Sequence, residues 1–363
     1  MTIKPRKDLE NITPYQPGKP IEEVKRELGL KDVMKLASNE NALEPGSKVI
    51  DAIMKAAKGV NRYPDGGCFY LKNAISNKFS IPQENIILGN GSDELIILAL
   101  RAFVDPQEEV IVSNPTFLVY SIASAVVGAK IITIPAKEFK YDLDAMQRAI
   151  TPKTRMIFIA NPDNPTGSYV SKDELDSFIE KVPDNVMIFL DEAYYEFARG
   201  GDYPETISSI EWKDKNVIVA RTFSKAYGLA GLRVGYGFAR QDIAEALNKV
   251  REPFNINSIA QTAAVAALED EEYLKRSVDL VADEKKKLYD ELDALDIKTF
   301  PSATNFILID TRRDSLEIYN SLLKKGVIVR EMSPWGLEGF IRVNIGLPEE
   351  NEKFLDALRE ALM

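Results

Sequence analysis

Short runs of β-branched and other apolar residues alternate with amphipathic stretches through much of this chain. The runs that predict buried strands are 86–88, 109–113, 130–134, 155–160, 186–191 and 216–222. Segments with a helical period, such as 92–104 and 172–182, lie between them. This alternation favours an α/β fold, in which a mostly parallel central sheet is covered by helices on both faces.

The pattern changes after Arg251. Longer helical stretches then precede a set of short strands, which predicts a smaller C-terminal α/β domain. We expect an N-terminal arm over residues 1–40 that packs with the small domain, a large domain over 41–255, and the small domain over 256–363. Ligands of such sheets bind at the carboxyl ends of the strands, so the search for a site begins there.

Composition narrows the chemistry. The net charge of −10 disfavours a nucleic acid or an acidic membrane as partner, and no apolar run is long enough to span a bilayer. The first residues lack the apolar core of a secretory signal, and Cys68 is the single cysteine, so we expect a cytoplasmic protein.

The chain of 363 residues contains no histidine, which excludes histidine-based triads and histidine-based zinc sites. An enzyme with this composition must use Lys, Asp, Glu or Tyr as its base, or rely on a cofactor.

Two predicted strand ends lead into polar turns. In "GNGSDE", Gly91 and Ser92 precede a helix whose free N–H groups could hold an anion, although a plain serine N-cap fits as well. In "NPDNPTG", Asn164 follows a buried strand and could direct its amide at a ligand, although a simple turn is the other interpretation.

Two further strand ends carry charged residues. Asp191 ends an apolar strand, where a carboxylate needs a cationic partner, either a ligand or a structural ion pair. Lys225 follows the next strand, and a lysine with a depressed pKa can condense with a carbonyl group. Arg233 could lower that pKa and bind a phosphate, together with the hydroxyls of Thr222 and Ser224.

These residues together describe one ligand. Its phosphate would be bound by Gly91, Ser92, Thr222, Ser224 and Arg233. Its aldehyde would meet Lys225, its protonated ring nitrogen Asp191, and its ring oxygen the side chains of Asn164 and Tyr194. A phosphate, an aldehyde and a protonated pyridine ring are combined in pyridoxal 5′-phosphate (PLP), and no metal is required.

With these motifs in place, the sequence resembles the class-II aminotransferases of fold type I over nearly its whole length. The strings that carry this resemblance are "LASNENALEP", "RYPDG", "GNGSDELI", "NPDNPTG", "DEAYYEF", "TFSKAYGLAGLRVGYG", "REPFNINSIAQTAA" and "IRVNIG". The resemblance implies that Asp93 belongs to the cofactor site and that Phe117 stacks on the cofactor ring, although core packing would also account for Phe117. It further implies that Tyr63 reaches the cofactor phosphate of a neighbouring subunit, so that a homodimer shares its active sites.

The resemblance also implies a substrate mouth. Arg342 occupies the position of an arginine that binds the anionic end of the substrate, with Arg330 as a second arginine and with Tyr15 and Asn41 alongside. The loop that follows Asn41 departs from the usual pattern, because Ala42 and Glu44 stand where proline and glycine are more common.

We therefore expect a transaminase in which Lys225 is the acid and base. The resemblance implies a phosphorylated amino alcohol as donor and 2-oxoglutarate as acceptor. An aminotransferase for aromatic or other amino acids, and a PLP-dependent decarboxylase of a phosphorylated amino acid, remain alternatives. A PLP-binding regulator is disfavoured, because the acid and base residues are present.

Overall fold

The computed structural model describes residues 3–6, 9, 10, 12–209 and 215–362. The helices are α1 (Ile21–Leu28), α2 (Ser47–Ala57), α3 (Phe69–Phe79), α4 (Ser92–Phe103), α5 (Val119–Val126), α6 (Leu143–Arg148), α7 (Lys172–Lys181), α8 (Tyr195–Ala198), α9 (Thr206–Ser209), α10 (Gln241–Val250), α11 (Ser258–Leu268), α12 (Glu271–Ala294), α13 (Ser315–Lys324) and α14 (Pro348–Leu362). The strands are β1 (Met34–Lys35), β2 (Ile86–Gly89), β3 (Glu109–Asn114), β4 (Lys130–Pro135), β5 (Thr154–Ala160), β6 (Met187–Asp191), β7 (Val217–Thr222), β8 (Gly235–Ala239), β9 (Lys298–Thr299), β10 (Phe306–Asp310), β11 (Val327–Ile328), β12 (Arg330–Glu331) and β13 (Phe340–Asn344). Within the described ranges, no helix is both long and apolar enough to span a membrane.

A seven-stranded sheet forms the centre of the large domain. Its strand order is β2-β8-β7-β6-β5-β3-β4, and β7, β6, β5, β3 and β4 run parallel to one another. Strand β8 runs antiparallel to both of its neighbours, β2 and β7. The predicted α/β fold with a mostly parallel sheet is confirmed.

Apart from the edge strand β4, the sheet is buried on both faces, which explains why its strands read as continuous apolar runs. Ile87 packs into one core with α4, α5, α6, α7 and α10. Its neighbours Ile86 and Leu88 point the other way, into a second core with α2, α3 and α11. Successive side chains of a strand alternate between faces, so a strand covered on both sides needs apolar residues at every position.

The glycine-rich strand β8 was not predicted, and the glycines themselves are the reason that it fits. A Cβ atom on Gly235 would lie 2.4 Å from the backbone nitrogen of Ser92. A Cβ atom on Gly237 would lie 2.8 Å from the carbonyl oxygen of Val219 on the adjacent strand. Glycine in a strand permits such close backbone approach. Strand β8 therefore brings the start of α4 close to the end of β7.

The small domain is built on the antiparallel sheet β12-β13-β10-β9 and on helices α12, α13 and α14. The N-terminal segment joins it, because β1 pairs in parallel with β11. The predicted domain boundary between residues 255 and 256 assigned helix α11 to the small domain, but the packing of this helix differs from that assignment. Its alanine-rich face, including Ala260, Ala263 and Ala264, is buried in the core that contains α2 and α3, so α11 packs with the large domain.

Candidate active site

Three neighbouring parallel strands end together at one edge of the central sheet. Ala160 of β5 lies opposite Asp191 of β6, and Asp191 lies opposite Ala220 of β7. The segments that follow these strands therefore meet above the same edge. A cavity of about 520 Å³ opens there between the large domain and the small domain.

Most of the residues predicted from the sequence line this cavity. They are Tyr15, Ser92, Asp93, Phe117, Asn164, Asp191, Tyr194, Thr222, Ser224, Lys225, Arg233 and Arg342. Gly91, Tyr63, Asn41 and Arg330 are not among its lining residues, and their positions are described below.

Lys225 is buried beside the end of β7. Its Nζ donates a hydrogen bond to the carbonyl oxygen of Ser38 at 3.3 Å. Burial, with a further contribution from the positive charge of Arg342, lowers the pKa of Lys225 to about 8. An amine with this pKa is neutral in an appreciable fraction of molecules near neutral pH, and the neutral amine is the nucleophile and the base.

Asp191 is a buried carboxyl group held at both oxygens. Oδ1 accepts a hydrogen bond from the backbone N–H of Ala193 at 3.1 Å, and Oδ2 accepts one from the hydroxyl of Tyr120 at 2.7 Å. Burial raises the pKa of Asp191 to about 6, against these two hydrogen bonds, which lower it. At neutral pH the group is mostly ionised, and a cation of the ligand would relieve the cost of its burial.

The start of α4 forms an anion cradle with Arg233. Gly91 precedes the helix with φ +88°, a conformation that favours glycine, and a Cβ there would lie 2.4 Å from Nη2 of Arg233. That Nη2 donates to both carboxylate oxygens of Asp93 at 2.8 and 3.0 Å. Asp93 therefore orients the guanidinium group, while the first N–H groups of α4 remain available to an anion.

Two hydroxyl groups complete the cradle at the end of β7. Oγ1 of Thr222 donates to Oγ of Ser224 at 3.0 Å and accepts the backbone N–H of Ser224 at 3.1 Å. The turn is thereby fixed with both hydroxyls at the cavity. Hydroxyl groups, free N–H groups and a guanidinium group are the donors that proteins use for phosphate.

Asn164 and Tyr194 lie on the other side of the cavity. Oδ1 of Asn164 accepts a hydrogen bond from Nη1 of Arg342, and the hydroxyl of Tyr194 accepts one from Nδ2 of Asn39 at 2.7 Å. Burial raises the pKa of Tyr194 above its usual range, so the phenol keeps its proton and can donate it in a hydrogen bond. The ring of Phe117 also lines the cavity.

Arg342 and Arg330 are paired across strands β13 and β12. Burial lowers the pKa of Arg342 to about 10, and its Nη2 donates to the carbonyl oxygen of Ala37 at 3.0 Å. Nη2 of Arg330 donates to the carbonyl oxygen of Gln16 at 2.6 Å. Among the residues that the structure describes, neither guanidinium group has a carboxylate partner, and each has a buried Nε without an acceptor. Two buried cations of this kind are suited to an anionic ligand.

Four predicted residues lie outside the cavity lining. Gly91 immediately precedes α4 and contributes its backbone to the anion cradle described above. Arg330 lies behind Tyr15, with the centre of its guanidinium group 5.8 Å from the centroid of that ring. Tyr63 has 83% of its surface exposed and stacks on Phe254 at 4.8 Å, so it does not reach the cavity of its own chain.

Asn41, predicted at the substrate mouth, does not line the cavity in this structure. Its Nδ2 lies within hydrogen-bonding distance of the carbonyl oxygens of Lys225 and Ala226, both at 3.0 Å, and of the Oγ of Ser277 at 2.7 Å. The amide therefore secures the backbone around Lys225. Its neighbour Asn39 lines the cavity instead. Asn39 adopts φ +55°, a left-handed conformation in which asparagine is enriched.

Two residues of the site were not identified from the sequence. Asn39 contacts Tyr194, and Tyr120 contacts Asp191. A signal for Tyr120 was present, because it lies three residues after Phe117 at the start of a helix and therefore on nearly the same face. For Asn39 the sequence offers two asparagines in "SNEN", and only the backbone conformation determines which one faces the cavity.

Comparison with known proteins gives a consistent result. The family model described as aminotransferase class I and II matches residues 31–358. A histidinol-phosphate aminotransferase of Moorella thermoacetica is 48% identical, with 99% of this chain and 93% of the relative covered. Histidinol-phosphate aminotransferase 2 of Carboxydothermus hydrogenoformans is 48% identical, with 98% and 99% covered. The crystal structure of histidinol-phosphate aminotransferase from Sinorhizobium meliloti with pyridoxal 5′-phosphate superimposes with a TM-score of 0.91 at 29% identity, covering 100% of this chain and 98% of that one.

Proposed function

The chain belongs to the family of class I and II aminotransferases, and we propose that within it the enzyme transfers an amino group between L-histidinol phosphate and 2-oxoglutarate. The products are imidazole-acetol phosphate and L-glutamate, and the reaction is a step of histidine biosynthesis. The choice of substrate rests on two buried arginines without carboxylate partners among the described residues. Arg342 lines the cavity, and Arg330 lies next to it, behind Tyr15.

The residues of the cavity fit pyridoxal 5′-phosphate. The cradle of α4, Arg233, Thr222 and Ser224 offers donors for a phosphate, and Gly91 enters it with a positive φ that favours glycine. Asp191 offers a buried negative charge for a protonated ring nitrogen. Lys225 offers an amine with a lowered pKa for the aldehyde. Each functional group of the cofactor has a chemically matched partner.

The cofactor, when bound, supplies an aldehyde that accepts the amino group and a ring that accepts the electron pair left on Cα. Lys225 would remove the Cα proton and return a proton to the cofactor carbon that carries the amino group. Asp191 would hold the proton on the ring nitrogen. Asn164 and Tyr194 would orient the ring oxygen, Phe117 would contact the ring face, and the α4 cradle would anchor the phosphate.

The substrate phosphate would bind to the arginines. Nη1 of Arg342 bonds to Asn164, so the same guanidinium group lies between the ring-oxygen site and the mouth of the cavity. Charge-assisted, bidentate bonds from a guanidinium group suit a phosphate dianion or the carboxylates of 2-oxoglutarate. Both substrates of the reaction can therefore use one anion site in turn.

The experiment that tests this reaction is an amino-acceptor assay. Purified enzyme with L-histidinol phosphate should form one glutamate for each 2-oxoglutarate consumed and release no carbon dioxide. A lyase would release carbon dioxide from a phosphorylated amino acid without consuming 2-oxoglutarate, and that result would contradict the proposal.

We also propose that the enzyme is a homodimer with shared active sites. Apolar side chains on α2, on α3 and in the segments beside them are exposed in the single chain, as expected of a surface that a partner covers. They are Ile50, Met54, Val60, Tyr63, Phe69, Tyr70 and Phe254. Tyr63 lies in this patch and, in this arrangement, would reach the cofactor phosphate of the second copy. A reducing, cytoplasmic setting agrees with the single buried cysteine, Cys68.

Hybrid dimers should test the shared site. We expect Tyr63→Ala and Lys225→Ala homodimers each to have low activity. After they are mixed and allowed to exchange subunits, hybrids should regain activity, because one of their sites then combines an intact Lys225 with an intact Tyr63 from the other chain. The measurement is activity against mixing ratio. An absence of recovery, with subunit exchange verified by mass spectrometry, would show that Tyr63 does not act across a dimer.

A further inference from the structure

Tyr120 contacts Phe117 and Asp191, two of the residues that are proposed to contact the cofactor ring. It lies on α5 and is fully buried. Its ring stacks on Phe158 of β5 with a centroid distance of 4.7 Å and an interplanar angle of 7°. It also meets Phe117 edge-on at 5.5 Å. Packing on these two sides fixes the direction in which its hydroxyl points.

That hydroxyl points at Asp191. It donates to Oδ2 at 2.7 Å, while the N–H of Ala193 donates to Oδ1, so the plane of the carboxylate is held at two points. Burial raises the pKa of Tyr120 well above its usual value, so the hydroxyl keeps its proton and acts as the donor. A hydrogen bond to the ionised form of a carboxyl group stabilises that form.

We propose, on the basis of the proposed function, that Tyr120 is a positioning residue that acts through Asp191. Its hydroxyl keeps the negative charge on the buried carboxylate and thereby keeps the proton on the ring nitrogen of the bound cofactor. Without it, the proton shared between nitrogen and carboxylate moves toward the carboxylate, and the ring becomes a weaker electron acceptor.

Other charged groups around Asp191 both raise and lower its pKa, and none of them replaces the hydrogen bond from Tyr120. The positive charge of Lys225 favours the ionised carboxylate, whereas the negative charge of Asp93 on α4 opposes it. The phenol of Tyr194 is also close enough to interact electrostatically but makes its hydrogen bond with Asn39. Among the described side chains, Tyr120 is the hydrogen-bond donor to Asp191.

The test is Tyr120→Phe, which removes one oxygen atom and keeps the stacked ring. The chain offers a matched control in Tyr141, a second buried tyrosine that bonds to a second buried aspartate. Its hydroxyl lies 3.2 Å from Oδ1 of Asp163 and 2.6 Å from Oγ1 of Thr116. Tyr141→Phe therefore makes the same chemical change without touching Asp191.

Two measurements separate a role through Asp191 from a role in packing. In cofactor-free enzyme labelled with ¹³C at aspartate Cγ, the Asp191 signal is assigned from its loss in Asp191→Asn and titrated. Its pKa should rise by about one unit in Tyr120→Phe, because the ionised carboxylate loses a charge-assisted hydrogen bond, and should stay unchanged in Tyr141→Phe. In enzyme loaded with ¹⁵N-labelled cofactor, the ring-nitrogen shift should move toward the unprotonated value in Tyr120→Phe only. We expect kcat to fall about tenfold with KM little changed.

An Asp191 titration that is unchanged by Tyr120→Phe would overturn the inference, as would a ring-nitrogen shift that moves equally in both variants. Thermal unfolding of each variant shows whether the protein remains folded under the conditions of the titration. The titration of the cofactor-free enzyme does not depend on which amino donor the enzyme uses. Failure of this inference is therefore distinguishable from failure of the proposed function.

Discussion

Replacement of Lys225 by alanine should lower kcat by at least about 10⁴-fold, because one side chain supplies both the nucleophile and the proton carrier. No histidine exists in the chain to take over either task. The variant should still bind pyridoxal 5′-phosphate without a covalent bond, because the α4 cradle, Arg233 and the hydroxyls of Thr222 and Ser224 are intact. Absorbance after gel filtration measures the retained cofactor, and steady-state kinetics measure the loss.

The covalent link itself can be located by reduction. Borohydride treatment of the wild-type enzyme followed by mass spectrometry should place the cofactor adduct on Lys225. Lys285 provides the matched control, because burial also lowers its pKa to about 8 while its Nζ donates to the carbonyl oxygens of Ser302 and Thr304. Lys285→Ala should leave the adduct in place. An adduct on Lys285, or on any lysine other than Lys225, would contradict the assignment.

Asp191→Asn should lower kcat by about 10³-fold, the scale observed when a preorganised electrostatic contact to the reacting group is removed. The amide is nearly isosteric with the carboxylate but cannot stabilise a positive charge on the ring nitrogen. The loss should fall on kcat, with KM and thermal stability little changed. Asp163→Asn is the matched control, since Asp163 is a buried aspartate with a pKa of about 6 that bonds to the hydroxyls of Thr116 and Thr166. Near-wild-type turnover in Asp191→Asn would show that Asp191 is only a structural partner.

The same carboxylate predicts a pH dependence. Burial raises the pKa of Asp191 to about 6 in the cofactor-free chain, so the negative charge is present above that pH and is lost below it. The affinity for pyridoxal 5′-phosphate should therefore weaken as the pH falls through about 6, and it should weaken less in Asp191→Asn, where protonation of Lys225, with a pKa of about 8, still contributes. Titration of both cofactor-free proteins with pyridoxal 5′-phosphate, at a series of pH values between about 5 and 8, measures this difference.

Much of the central sheet could be predicted from the sequence, because strands buried on both faces leave an unambiguous apolar pattern. The predicted segment 186–191 became Met187–Asp191, and 216–222 became Val217–Thr222. The neighbouring strand Gly235–Ala239 was not predicted, because its glycines reflect the close approach of Ser92 and Val219 rather than a strand propensity. Such an approach is a property of the assembled fold, and a single segment does not carry it.

The candidate site shows the same limit. Asp191, Lys225 and Arg233 were predictable, because a charged residue beside the end of an apolar strand is costly to bury unless a ligand or an ion pair compensates it. The contact between Tyr120 and Asp191 was not, because it depends on the direction in which α5 crosses β5 and β6. The choice between Asn39 and Asn41 depended on a left-handed backbone conformation at residue 39, which no pattern of residue types specifies.

The choice of amino donor is the central claim, and the two arginines make it testable. If L-histidinol phosphate is the donor, removal of its phosphate leaves two buried guanidinium groups without their anion. L-Histidinol should then have a kcat/KM lower by about 10³-fold, the cost of several lost charge-assisted bonds. Arg342→Lys should not retain the wild-type activity with L-histidinol phosphate, because a point charge does not reproduce the planar guanidinium fork.

The most direct measurement is kcat/KM for L-histidinol phosphate, L-histidinol, phenylalanine and tyrosine, each with 2-oxoglutarate as acceptor. We predict that L-histidinol phosphate exceeds the other three donors and that its advantage over L-histidinol largely disappears in Arg342→Lys. An aromatic amino-acid aminotransferase would bind the carboxylate of phenylalanine or tyrosine at Arg342 instead. If either amino acid equals or exceeds L-histidinol phosphate, the proposed substrate is contradicted, while the cofactor chemistry of Lys225 and Asp191 stands.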